Sequence, residues 1–127
     1  LHLRIALAVS PKINSEKTDV TSGGYMAKRH KLKITVLKRF KPSEVFKEAQ
    51  VKGAPIEACT VFKDGEEFMV ETGEMPKGFC SWAWDDINKV VNVLRFGGEF
   101  PWFEEKGVSV NCCTDGLRPV VFRIERI

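Results

Sequence analysis

The sequence predicts an α+β fold, a mostly antiparallel sheet with one long and one short helix packed on one face. Apolar and polar residues alternate over residues 31–40 and 108–113, as they do in half-buried strands. Over residues 81–95 the apolar residues instead recur every three or four positions, which is typical of an amphipathic helix. Asp115-Gly116 is a strong two-residue hairpin signal. The order of strand, short helix, short hairpin, long helix and hairpin is typical of this fold class.

Residues 1–25 are expected to lie outside the domain as a leader or an N-terminal arm, which leaves residues 26–127 as a single domain. The stretch begins without Met and passes from a short apolar patch into a polar segment without a sustained period. Met26 then directly precedes a basic lead-in and a strong strand, so it is a candidate start site. A short edge strand within residues 3–9 is the alternative.

Composition and charge argue against several classes of protein. A chain of 127 residues with 43% hydrophobic and 29% charged residues has the size and balance of one soluble domain. The net charge of +3 is small and the basic residues are scattered, which argues against a nucleic-acid partner. No apolar run approaches the ~20 residues that cross a bilayer, and residues 5–9 are too short for a secretory signal. We therefore expect a cytoplasmic protein with reduced thiols and no membrane partner.

The first half of the domain is predicted to contain three strands and the short helix. Pro42 opens the helix, which we expect to continue to residue 50. Short strands at residues 60–62 and 67–71 flank a turn at residues 63–66, so they are expected to pair as a hairpin. The predicted core positions of these strands are Leu32, Ile34, Val36, Phe68 and Val70, with Met69 on the opposite face.

The helix over residues 81–95 should bury an apolar stripe against the sheet. Ser81 can cap its N-terminus, while Asp85 and Asp86 lie near the positive end of the helix dipole and are expected to be solvated. Gly97-Gly98 supplies a left-handed exit at the other end. The stripe consists of Trp84, Ile87, Val91 and Leu94.

The final hairpin is expected to join residues 108–113 to residues 118–126 through Asp115-Gly116. The residues predicted to face the core are Val108, Val110 and Cys112 in the first strand and Val120, Phe122 and Ile124 in the second, with Ser109, Asn111 and Cys113 facing away.

Four cysteines are the residues best suited to metal chemistry. Cys59, Cys80, Cys112 and Cys113 lack the C-x-x-C spacing of zinc knuckles and bacterial ferredoxins, so the fold must assemble any shared site. Neighbouring residues of a strand point to opposite faces. Cys112 and Cys113 can therefore bind one ion only if the strand breaks between them. The alternative is that the thiols are small buried hydrophobic groups.

Cys80 has a further property, because it lies next to the N-terminus of the long helix, where the dipole favours a thiolate. It is therefore the cysteine expected to be most reactive. No histidine is placed to activate it as a nucleophile, since His2 and His30 lie in or beside the N-terminal segment.

Aromatic residues form the second candidate site. Trp82, Phe100, Trp102 and Phe103, together with Arg118, are a candidate binding patch for a partner protein or an apolar ligand. The alternative is a plug in which these rings pack the loop after the helix against the core.

Over residues 33–127 the chain resembles an uncharacterised family of short four-cysteine proteins, found mainly in anaerobic bacteria and archaea. The segments that carry the resemblance read KITVLKR, CTVFKDGEEF, GFCSWAW, FGGEFPW and CCTDGLRPVVFRI. All four cysteines and Arg118 fall within them. The resemblance implies that the thiols matter, but it implies no reaction, because the function of the family is unassigned.

These observations predict a small cytoplasmic protein whose four cysteines hold zinc or an iron–sulfur cluster, with a redox or accessory role to a larger enzyme or redox protein. The alternative is a metal-free protein- or ligand-binding module that uses the aromatic patch, with structural cysteines. A thiol enzyme acting through Cys80 is a third hypothesis. The sequence carries no catalytic signature, so no reaction is predicted.

Overall fold

Four strands and two helices alternate along the chain in the computed structural model, which describes residues 28–48, 52–53 and 57–127. The expectations for residues 1–25 lie outside the described residues. In chain order the elements are β1 (Leu32–Arg39), α1 (Pro42–Val45), β2 (Glu67–Val70), α2 (Ser81–Arg95), β3 (Val108–Cys112) and β4 (Val120–Arg126).

The strands form one antiparallel sheet in the order β2-β1-β4-β3, which confirms the predicted α+β class. Ile34 of β1 lies opposite Phe68 of β2 and Ile124 of β4. Residues directly opposite one another share a face of a sheet, and all three are buried. The alternation read from the sequence therefore identifies the core face of these three strands correctly.

Helix α2 covers this core face, where it contacts β1, β3 and β4. Its predicted apolar stripe is confirmed, because Trp84, Ile87, Val91 and Leu94 are all buried. Each large apolar side chain removed from water contributes roughly 1.5–3 kcal/mol to folding. The opposite face of the sheet is polar, with Lys33 between Glu67 at 3.8 Å and Glu125 at 3.3 Å.

An aromatic cluster fills the core between α2 and the sheet. Phe79 contacts four other rings at centroid separations of 4.9–6.0 Å, mostly edge to face, a geometry that aromatic quadrupoles favour. Phe79 precedes α2 and belongs to no strand or helix, so no periodicity pointed to it. The rings in contact with it are Phe62, Phe68, Trp84 and Phe122.

The predicted hairpin between residues 60–62 and 67–71 is wrong. Residues 60–62 form no strand, and β2 pairs instead with β1. The segment is held beside β1 because Gly65 donates its N–H to Val36 O at 2.8 Å and Arg39 contacts Asp64 at 3.1 Å. Phe62 is buried through its ring contacts and not through strand pairing.

Helix α1 is shorter than predicted, because it ends at Val45 and the backbone of Phe46 is already extended; residues 49–50 lie outside the described residues. Val45 is 42% exposed. A short helix depends on packing of its apolar face for stability, and this helix lacks such packing at Val45. A single turn results, within which Phe46 N–H donates to Pro42 O.

The two ends of α2 differ in how well the sequence predicts them. Cys80, and not Ser81, occupies the N-cap position, with no side-chain capping bond. At the C-terminal end Gly97 has the predicted left-handed conformation, with φ of 85°. Gly98 donates to Val93 O at 2.8 Å and Gly97 to Leu94 O at 3.1 Å, which is a Schellman motif.

The predicted facing of β3 is wrong. Ser109 and Cys113 are 3% and 9% exposed, whereas Val110 is 39% exposed and Cys112 is also exposed. Val110 lies opposite Arg123 on the polar face of the sheet, while Ser109 lies opposite Ile124. A shift of one residue moves every side chain of a strand to the other face, and pairing with β4 selects this register.

Candidate functional site

The N-terminal end of α2 is joined to the β3–β4 loop by a group of polar contacts that we call the Thr114 junction (Trp82, Asp86 and Thr114). The Asp86 carboxylate accepts the Thr114 N–H at 2.7 Å, and its two oxygens lie 3.0 and 3.1 Å from the Thr114 hydroxyl. The Trp82 indole N–H donates to the same hydroxyl at 2.6 Å. Trp82 and Asp86 are four residues apart, so they share one face of the helix.

The expectation that Asp86 is merely solvated is therefore wrong. The sequence does indicate that Trp82 and Asp86 share a face of the helix, because they are four residues apart. It does not indicate that Thr114 approaches this face, because Thr114 is 28 or more positions away in the chain. The Thr114 junction places the β3–β4 loop, and with it two cysteines, against the start of α2.

Strand β3 ends at Cys112, although the Cys113 N–H still donates to Val120 O of β4 at 3.0 Å. Cys113 is buried, and its sulfur accepts the Val120 N–H at 3.3 Å. The Cys112 thiol donates to the carbonyl oxygen of Cys113 at 3.1 Å and also interacts with the Cys113 thiol. The two adjacent thiols thus interact, although Cys112 is exposed and Cys113 is buried.

The surroundings of Cys112 disfavour its thiolate. Partial burial of the thiol is the largest cause that raises its pKa, although the residue as a whole is exposed. The Cys113 thiol and the Asp86 carboxylate raise the pKa of Cys112 further, while a backbone hydrogen bond from Val120 partly offsets them. Cys112 is therefore protonated at neutral pH in the absence of a cation.

Cys59 and Cys80 are partly buried and pack against the same apolar core that contains Cys113. Cys59 is held near β1 because its carbonyl oxygen accepts a bond from Arg39 Nη1 at 2.9 Å. All four cysteines are free thiols. Within residues 28–48, 52–53 and 57–127, no three or more Cys, His, Asp or Glu side chains are arranged to hold a metal ion. The structure thus brings two thiols together and places the other two at the border of the same core.

The residues of the candidate aromatic patch lie in two places. Phe100, Trp102 and Phe103 form a ring cluster after α2, with centroid separations of 5.2 and 6.3 Å. Trp102 is 72% exposed, whereas Phe100 packs against the core. Trp82 is 64% exposed but lies at the other end of α2, and the 14 residues from Trp82 to Phe96 span ~21 Å at the helical rise. Trp82 therefore belongs to the Thr114 junction.

Arg118 is bound within the β3–β4 loop. Its N–H donates to Asp115 Oδ1 at 3.1 Å, and its Nε lies 4.0 Å from Asp115 Oδ2. Asp115 also accepts the Leu117 N–H at 2.9 Å, so it caps the turn with its side chain. Gly116 does not have a positive φ, which means that the loop is not the two-residue hairpin turn that the sequence predicts.

No family model, curated protein or solved structure matches this chain. The resemblance to an uncharacterised four-cysteine family therefore stays a prediction. Neither described helix is sufficiently long and apolar to span a bilayer.

Proposed function

We propose that this protein binds a thiophilic metal ion, either zinc or the iron of an iron–sulfur cluster, with Cys112 and Cys113 as its first two ligands. The observation that carries the proposal is the interaction of the two adjacent thiols at the end of β3, close to the Asp86 carboxylate. Thiolate sulfur is the ligand that these metals prefer.

The electrostatics around the pair support a cation. The Asp86 carboxylate and the Cys113 thiol both raise the pKa of Cys112, because each disfavours a second negative charge beside it. A bound metal ion reverses this effect, since it stabilises the thiolate directly. The same groups that keep Cys112 protonated without metal would then contribute to attraction of the ion.

Two thiolates do not complete a tetrahedral site, so further ligands are required. Cys80 and Cys59 are the candidates within the chain, because both border the core that holds Cys113. A partner protein is the other source of ligands. An incomplete site of this kind suits an accessory role, in which the metal is shared with or passed to a larger enzyme or redox protein.

The test is metal and sulfide analysis of the full chain purified without oxygen, followed by zinc titration with a competing chelator. We expect about one zinc ion or one cluster per chain, with occupancy lost in Cys112→Ser and in Cys113→Ser. Cys59→Ser and Cys80→Ser then identify the remaining ligands, while Asp85→Asn serves as a control that leaves binding unchanged. A folded, metal-free protein with four titratable thiols and an unfolding temperature insensitive to zinc would contradict the proposal.

A second candidate function rests on the exposure of Trp102. We propose that the Phe100–Trp102–Phe103 cluster binds an apolar segment of a partner protein, because its exposed central ring is held by neighbouring rings and loses little side-chain entropy on binding. A photo-reactive phenylalanine analogue at position 102 should crosslink one defined protein in the cells that produce this chain. The same analogue at Val61, which is 50% exposed, is the control; equal crosslinking from both positions argues against the cluster as an interface.

A further inference from the structure

Arg95, in the last turn of α2, is a buried cation for which no described residue supplies a counter-charge. The residue is 7% exposed, and its Nε is sealed from solvent with no hydrogen-bond partner. Among the described residues, no carboxylate lies within ion-pair distance of its guanidinium group. Burial of a polar group without a hydrogen-bond partner is unfavourable, and Nε of Arg95 is such a group among the described residues.

The usual role of a basic residue in a last helical turn is already taken by other groups. Such a side chain commonly donates to the final carbonyl oxygens. Here those four oxygens accept other donors: Asn92 O from Phe96 N, Val93 O from Gly98 N, Leu94 O from Gly97 N and Arg126 Nη1, and Arg95 O from His30 N. The guanidinium group of Arg95 is therefore not needed to complete the helix end.

The chain instead makes room for this guanidinium group. A Cβ atom at Gly73 would lie 2.7 Å from Arg95 Nη1, a separation that forces one of the two groups to move. An alanine at position 73 would therefore displace the guanidinium group at the end of the Arg95 side chain. Glu71 and Glu74 flank Gly73 in the sequence, but both are exposed and neither pairs with Arg95.

A second arginine and a histidine lie near Arg95 at the C-terminal end of α2. The Arg95 guanidinium carbon lies 5.4 Å from the centroid of the Phe96 ring, and that of Arg29 lies 5.9 Å from it. His30 is adjacent to Arg29, and its backbone N–H is bonded to Arg95 O at 2.8 Å. We call Arg29, His30, Arg95 and Phe96 the Arg95 cluster. It lies at the end of α2 opposite the thiol pair, so its role is independent of the proposed metal site.

We propose that the Arg95 cluster binds an oxyanion, either the carboxylate or the phosphate group of a small molecule. The planar fork of a guanidinium group matches two oxygens of such an anion, and these charge-assisted bonds are the stronger kind of hydrogen bond. The anion neutralises Arg95, whose Nε finds no acceptor in the described part of the chain. Arg29 contributes a second positive charge across the half-exposed Phe96 ring.

The experiment compares inorganic phosphate, acetate and chloride at constant ionic strength, with thermal unfolding and calorimetric titration of the full chain as readouts. We expect phosphate or acetate to raise the unfolding temperature saturably, and the anion with the larger effect identifies the chemical source. Arg95→Met should weaken binding about tenfold or more. The matched control is Arg39→Met, because Arg39 is already occupied by Asp64 and by the carbonyl of Cys59.

If Arg95 had a purely structural role, Arg95→Met would lower the unfolding temperature in chloride. The anion-binding proposal predicts no such loss. Arg95→Met removes an unpaired buried charge but keeps an apolar stem. It should therefore unfold at the same or a higher temperature than the parent in chloride, yet lose the stabilisation by phosphate or acetate. If Arg95→Met does not fold, Gly73→Ala and Arg29→Gln are measured instead, and each should weaken anion binding. Equal behaviour of all three anions in the parent protein, or unchanged binding in these variants, overturns the proposal.

Discussion

The Asp86 carboxylate accepts the backbone N–H of Thr114 at 2.7 Å, although 28 positions of the chain separate the two residues. This contact joins the second turn of α2 to the loop between β3 and β4. Because Cys112 and Cys113 directly precede Thr114, the position of the thiol pair depends on it. The helix–loop contact is thus the link between the scaffold and the proposed metal site.

Removal of the Asp86 carboxylate should destabilise the domain. Asp86→Ala leaves the Thr114 N–H without its acceptor and breaks the link to the hydroxyl group, so we expect a loss of about 1–2 kcal/mol in the free energy of unfolding. Urea denaturation measures this quantity. Asp85→Ala is the matched control, because Asp85 is the exposed neighbour on the same helix, and it should change stability by less than about 0.5 kcal/mol. Equal effects of the two substitutions would contradict the role assigned to the contact.

Stability should fall at alkaline pH because of Cys112. Its pKa in the folded state is raised above the ordinary value of 9.0 by burial, by the Cys113 thiol and by Asp86. As pH rises, the unfolded chain therefore loses the Cys112 proton before the folded protein does. The contribution of this thiol to the free energy of unfolding is thus complete below pH 9.0 and declines above it. Urea denaturation of the metal-free protein between pH 8 and pH 10 should show this decline. It should be smaller in Cys112→Ser and in Asp86→Asn; identical slopes in all three proteins would exclude Cys112 as the source.

The two glycines that the sequence marks for turns should respond differently to alanine. Gly97 has φ of 85° at the end of α2, a conformation that costs an L-residue roughly 1 kcal/mol. Gly97→Ala is therefore expected to lower the free energy of unfolding by about that amount. Gly116 has no positive φ and open space at its Cβ position, so Gly116→Ala should be neutral. Thermal or urea unfolding distinguishes them, and a large loss in Gly116→Ala would mean that a two-residue hairpin turn forms after all.

Arg126 should contribute more to stability than its neighbour Arg123. Arg126 Nη1 donates to Leu94 O at 3.1 Å and to Gly98 O at 2.8 Å, and the guanidinium group also pairs with Glu99. Arg126→Met removes both carbonyl bonds, so we expect a loss of about 2 kcal/mol in the free energy of unfolding. The partners of Arg123 in the described part of the chain are Glu105 and Glu125, both carboxylates on the face of the sheet away from α2. Arg123→Met should cost less than about 1 kcal/mol, and a reversed order would contradict this assignment.

The candidate metal site could be predicted from the sequence only in part. That Cys112 and Cys113 point to opposite faces of an unbroken strand follows from the alternation of side chains, and in the structure Cys112 is exposed and Cys113 is buried. The partners of the pair do not follow from it, since Asp86 and Val120 approach only through packing of α2 and pairing of β4. In the sequence Arg95 is one basic residue near the end of an apolar helical stripe. That its Nε has no acceptor among the described residues is shown only by the tertiary structure.

The sequence by itself determined the faces of β1, β2, β4 and α2 and the exit of α2 at Gly97, because each is encoded by local periodicity or by the conformational freedom of one residue. Tertiary structure decided that β2 pairs with β1, that β3 turns Ser109 and not Val110 toward the core, and that Cys112 lies near Asp86. These features depend on hydrogen bonds and packing between segments distant in the chain. A periodic pattern states which residues share a face, but register and neighbouring elements decide where that face points.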